Sequence, residues 1–88
     1  MNKLQQVIET YINGNITISK NNIQSNSFKF RAIEVLECSE IFGLRTTIKV
    51  LKLGGISDMY IINAFHDYGY SEDLQEVKTI LLNNFYES

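Results

Sequence analysis

A single cysteine, Cys38, leaves no partner for an intramolecular disulfide and no set of thiolates for a multi-cysteine zinc site. A reducing, cytosolic setting is therefore expected. His66 is the only histidine, and one imidazole among scattered carboxylates has no ligand spacing typical of zinc or calcium sites. No stretch approaches the roughly 20 apolar residues of a membrane span. The start, Met1-Asn2-Lys3-Leu4-Gln5-Gln6, lacks the apolar run of a signal peptide. A cytoplasmic protein with no metal, no cofactor and no membrane contact is expected. Proline is absent, so the breaks between elements fall to glycine, asparagine and serine.

What is present is enough for one core. At 88 residues the chain supports a single domain, 1–88, near the size at which single cores become marginal. Hydrophobic content of 44% and aromatic content of 11% place it among folding rather than disordered chains. The net charge of −2 conceals a division: residues 1–56 sum to +3, whereas residues 57–88 hold only Lys78 against six acids and sum to −5. Segregated charge of this kind bears on partners, not on fold.

Asn2 is placed to cap a first helix in which Leu4, Val7, Ile8, Tyr11 and Ile12 fall on one face, with Asn13-Gly14 ending it. Residues 16–19 alternate as a short strand and residues 20–27 read as a loop. Residues 28–38 and 44–53 are rich in aromatic and β-branched types and suggest a hairpin turning at 39–43, with a bulge near Ala32 to reconcile the faces of the first strand. Ala32, Val35, Leu36 and Ser39 would equally line one side of a helix. Gly54-Gly55 breaks the second strand. Ser57 is placed to cap a helix over 58–68, with Ile61, Ile62, Phe65 and Tyr68 inward and Gly69 closing it. Ser71 is placed to cap a last helix with Leu74, Val77, Leu81 and Phe85 inward. The expected architecture is α+β: helix, three-stranded antiparallel sheet, two helices.

No catalytic constellation is legible. His66 and Asp67 are adjacent, but neighbours on a helix point about 100° apart, and nothing in the sequence brings Cys38 to them. The protein is therefore not expected to be an enzyme. Gly54-Gly55-Ile56-Ser57 before a helix matches neither phosphate-loop nor dinucleotide spacing and reads as a turn. Ile41-Phe42 is either an exposed apolar anchor or a pair folded back on the core. Lys29, Arg31, Arg45, Thr47 and Lys49 share a strand parity; a basic sheet face of that kind can neutralise nucleic-acid phosphates, but it has no aromatics at the same parity for base stacking and equally reads as an ordinary solvated face. The densest cluster is acidic and tyrosine-bearing: Asp67, Tyr68, Tyr70, Glu72, Asp73 and Glu76. Carboxylates on a rigid scaffold can pair with arginines that ordinarily hold phosphate, and tyrosines add contact area at low entropic cost.

In size, in the Met1-Asn2 start, in Ser25-Asn26-Ser27, in Ile61-Ile62-Asn63-Ala64-Phe65 and in Tyr70, Glu72 and Asp73, the chain resembles a family of small phage-encoded anti-CRISPR proteins of the Listeria-prophage type. Those proteins inhibit Cas9 by imitating DNA. The resemblance implies that Glu37, Glu40, Glu72, Asp73 and Glu76 face the basic residues that read the PAM. The expectation is a non-enzymatic inhibitor whose partner surface, Glu37, Glu40, Asp67, Tyr70, Glu72, Asp73 and Glu76, fills the basic nucleic-acid cleft of a host effector such as Cas9. The alternative is a nucleic-acid-binding or regulatory module using the basic hairpin face.

Overall fold

The computed structural model describes residues 2–14 and 31–87, and among them there is no strand. The described residues form five helices, α1 (Lys3–Ile12), α2 (Ala32–Phe42), α3 (Leu44–Leu53), α4 (Asp58–Tyr68) and α5 (Ser71–Asn83), and a 3-10 turn, Phe85–Glu87. The expected α+β fold is thus corrected to a helical one. The expected strand at 16–19, the loop at 20–27 and Lys29 lie outside the described residues.

The two segments expected to pair as a hairpin are the helices α2 and α3. In α3, Leu44 is half-buried while Thr47, Ile48 and Leu51 are buried, a spacing of i, i+3, i+4 and i+7 that places them on one helical face. A strand would instead have set Leu51 and Leu53 on the same face as Arg45 and Lys49. Propensity for β structure spans only about 1 kcal/mol between residue types, whereas burying one such aliphatic side chain contributes about 1.5–3 kcal/mol. The helical period therefore prevails over the β-branched composition. In α2 the buried positions are Glu34, Val35 and Cys38, and Ala32, the expected bulge, is the first residue of the helix.

Gly43 separates these helices with a single residue. It closes α2, its N–H donating to the Ser39 carbonyl at 2.9 Å, and its own carbonyl accepts the Thr47 N–H at 3.2 Å to start α3. Its φ of 89° and ψ of 159° lie in a region open essentially to glycine alone. At the far end of α3, Gly55 takes φ 81°. The Gly55 N–H donates to the Lys52 carbonyl and the Ile56 N–H to the Leu51 carbonyl, each at 3.0 Å. These are the two bonds of a Schellman cap, with buried Ile56 after it. The glycine pair breaks a helix, and the amides of Gly55 and Ile56 are consumed in doing so.

The ends of the chain follow the expected caps more closely. The Asn2 side chain accepts the Gln5 N–H at 2.9 Å, and the Ser57 hydroxyl accepts the Tyr60 N–H at 3.2 Å. The cap of α5 is Tyr70 instead of Ser71. Leu4, Ile8, Val35, Ile48, Ile61, Phe65 and Val77 share one core. Helix α2 packs against α1, α3 and α4, and α5 packs on α4.

One carboxylate ties α1 to α2. Glu34 is buried, its Oε1 accepting the Lys3 N–H at 2.8 Å and its Oε2 accepting the Arg31 N–H. Both donors belong to helix starts that have no intrahelical acceptor. The Asn2 amide adds a bond to the Glu34 carbonyl at 3.1 Å.

Removing this acceptor leaves two sheltered donors unmet at about 1–3 kcal/mol each, so Glu34→Ala is expected to lower unfolding free energy by about 2–4 kcal/mol in urea titration. Gly43→Ala is expected to destabilise by about 1–3 kcal/mol, although alanine favours helices. The space around Gly43 is open, so an unchanged midpoint would show that the backbone there is not strained by a side chain.

Candidate functional site

Along α2 the residues Ile33, Leu36, Glu37 and Glu40 recur at i, i+3, i+4 and i+7, so the helix presents them as one stripe. Because α4 packs on α2 and α5 on α4, this stripe faces the α4–α5 junction. Between them lies a cleft of about 420 Å³ lined by the α2 stripe with Ser39, by Leu44 of α3, and by Phe65, Tyr68, Gly69, Tyr70 and Asp73. Such a volume is in the range of sites that hold a side chain or short ligand. Leu36 and Leu44 are half-buried and Phe65 buried, whereas Tyr68 and Tyr70 are 68% and 76% exposed. The lining is apolar at depth, aromatic at the rim and acidic along two edges.

Four of the seven expected partner residues, Glu37, Glu40, Tyr70 and Asp73, line this cleft. Glu76 lies one turn further along α5, in an adjoining depression that shares Ser39 and Leu44 with the cleft. Asp67 lies in another that shares Tyr68. Glu72, at the start of α5, lines none of these hollows. Glu37 and Glu40 are not on a hairpin loop, since α2 runs through them. Ile33, Leu36 and Leu44 were hidden by the strand reading; the four-residue stripe on α2 is the signal that reveals the first two, and Leu44 is brought in by the turn at Gly43.

Electrostatically the cleft is uncompensated. Among the described residues the salt bridge between charged side chains is Lys52–Asp58, with the His66 ring hydrogen-bonded to Asp67. None of Glu37, Glu40, Asp73 and Glu76 is therefore held in an ion pair there, and Arg45 is the cation that lines the hollow holding Glu76.

His66 Nδ1 stands 3.0 Å from Asp67 Oδ1, both side chains being exposed. Rotation of the two side chains overcomes the separation expected from helical geometry. Neither lines the cleft. Cys38 is fully buried and its thiol donates to Asn2 Oδ1 at 3.6 Å. Burial pushes the Cys38 thiol up to about 11, against the bond from Asn2 and assisted by Glu34, Glu37 and Glu9. Of the Ile41-Phe42 pair, Ile41 is 55% exposed while Phe42 packs against the core.

The expected basic sheet face is dissolved by the helical fold. Thr47 is fully buried with its hydroxyl unpartnered, Arg31 caps α2, and Arg45 and Lys49 lie on α3. No helix among the described residues is long and apolar enough to cross a membrane. No family model, curated protein or solved structure matches the chain.

The Cys38 thiol gives a pH prediction. Its folded pKa, about 11, lies above the unfolded value of about 8.5. Its contribution to stability is therefore full below about pH 8.5 and is lost as pH rises through about 11. Urea melts at pH 8, 9.5 and 10.5 should show wild-type protein losing more stability than Cys38→Ala over that interval. Parallel losses in the two proteins would contradict the assignment.

Proposed function

We propose that the protein is a non-enzymatic inhibitor whose acidic, tyrosine-rimmed cleft takes a basic segment of a nucleic-acid-binding effector. One observation carries this reading. Carboxylates from two segments some thirty residues apart, Glu37 and Glu40 on α2 and Asp73 on α5, rim a single concave site without a cation among the described residues to neutralise them. A partner's guanidinium would gain charge-assisted bonds to the carboxylates, and a ring face at Tyr68 or Tyr70 would add a cation–π contact of about 0.5–1 kcal/mol at an exposed position. Surfaces that read nucleic acid are rich in such arginines, which is why a basic cleft of that kind is the fitting partner. Its narrower form is an anti-CRISPR inhibitor of Cas9. The hairpin expected at 28–53 gives way to helices α2 (Ala32–Phe42) and α3 (Leu44–Leu53), and the support left for the narrower form is that acids of α2 and α5 meet at one cleft.

The cleft also ranks the acids. With a guide-loaded Cas9 complex as the first partner, the protein is expected to reduce target-DNA binding. For any effector it binds, Glu37→Lys with Asp73→Lys should weaken affinity about 100-fold, corresponding to about 2.7 kcal/mol. Glu72→Lys, outside the cleft, should cost less than about fivefold, corresponding to about 1 kcal/mol. No effect on Cas9 would remove the narrower form. If no protein is then retained from a nuclease-treated bacterial lysate, the broader one falls as well. Equal losses at Glu72 and Asp73 would replace the cleft with a diffuse acidic field.

A further inference from the structure

Helix α3 has the opposite character. It carries Arg45, Lys49 and Lys52 and no acid, and the three fall at i, i+4 and i+7, a single stripe. The end of the chain is folded against this stripe. Asn84 adopts the left-handed conformation, φ 55°, which turns the backbone after α5 so that the terminal 3-10 turn packs on α3 and α5. Phe85 is thereby brought beneath Arg45, whose guanidinium carbon stands 5.3 Å from the ring centroid. Tyr86 joins Lys49, Lys52 and Leu53 around a groove of about 270 Å³. Its hydroxyl donates to Asn84 Oδ1 at 3.1 Å.

We infer that this groove is a binding site for single-stranded nucleic acid, separate from the acidic cleft. Lys49 forms no salt bridge among the described residues, nor does Arg45, which stands one turn before it, outside the groove and in the hollow that also holds Glu76, whereas Lys52 is held by Asp58 and the Ile56 carbonyl. Lys49 is thus available to a phosphate in the groove, with Arg45 one turn away on the same stripe to meet a second. A guanidinium held over a ring still offers its N–H groups as donors. The half-buried Tyr86 ring, which also packs against the core, and Leu53, which is 47% exposed, give a base an aromatic and aliphatic surface, and stacking of one base on such a surface is sequence-tolerant. A positively charged groove joined to an aromatic ring is the combination that single-strand sites use. An acidic peptide supplies the charge but not the planar ring, and a lipid surface calls for a broad apolar face where this groove has one exposed leucine. Duplex DNA would engage the cations and leave the Tyr86 ring unused.

The test is fluorescence anisotropy with labelled dT12 and rU12 at 10 to 200 mM salt, alongside a 12-base-pair duplex and phosphatidylserine vesicles. Two phosphate contacts predict a slope of log affinity against log salt of about −1.4. Lys49→Glu should weaken single-strand binding at least tenfold. Tyr86→Leu, which keeps apolar packing while removing the ring, should do so about fivefold or more, with Tyr86→Phe restoring it. Glu37→Lys should not weaken it. Absence of single-strand binding at 10 mM salt would overturn the inference. So would equal affinity for the duplex, binding indifferent to Tyr86→Leu in a folded variant, or tighter binding to the vesicles. Salt-sensitive self-association abolished by Lys49→Glu, with no oligonucleotide bound, would instead assign the groove to a second copy of the chain.

Discussion

The buried Glu34 carboxylate is the constraint on which the arrangement of this molecule depends. It answers the Lys3 N–H at the start of α1 and the Arg31 N–H before α2 at once, so neither helix end is sheltered from water with its donors unmet. A buried carboxylate is costly unless it is hydrogen-bonded, and bonds from backbone N–H groups to an ionised acceptor are about twice as strong as neutral ones. The cost and the gain are therefore met at the same two atoms. Asn2 extends the node, capping α1 while touching both the Glu34 carbonyl and the Cys38 thiol. Because α2 also packs against α3 and α4, its rotation sets the direction of the Glu37 and Glu40 stripe. The acidic cleft follows from that orientation.

Outside the middle of the chain much of this was legible. Asn2, Ser57 and Gly69 mark helix ends where they were expected, and Leu4, Ile8, Ile61, Phe65, Val77 and Leu81 are buried as their spacing implied. The failure lies at 31–53, where isoleucine, valine and threonine suggested strands. Composition competes there with period, and period carries the burial energy. Gly43 deepened the ambiguity, since a lone glycine between apolar runs suits a hairpin as well as a helix break. Tyr68 and Phe85, expected inside, are exposed. Tyr68 lines the cleft and Phe85 lies under Arg45. Glu34 itself looked like any other surface acid, since its role needs the amide of Lys3, 31 residues away.

Charge segregation, visible in the sequence as a +3 and a −5 segment, takes a different form in space. The acids that matter to the cleft come from both segments, and the available cations Arg45 and Lys49 lie on α3 beside the terminal aromatic turn. Two concave surfaces of opposite sign on a domain this small would steer different partners to different faces.

Amide hydrogen exchange of the native protein tests the central role of Glu34 most directly. The Lys3 N–H and the Arg31 N–H stand outside any helical ladder, and without an acceptor both would exchange within the fraying range of helix ends. Held by one carboxylate, they should show protection comparable to that of core amides in α2, and both should lose it together in Glu34→Gln while the α4 amides stay protected. Rapid exchange at Lys3 and Arg31 in the wild-type protein, beside a protected α2, would contradict the account.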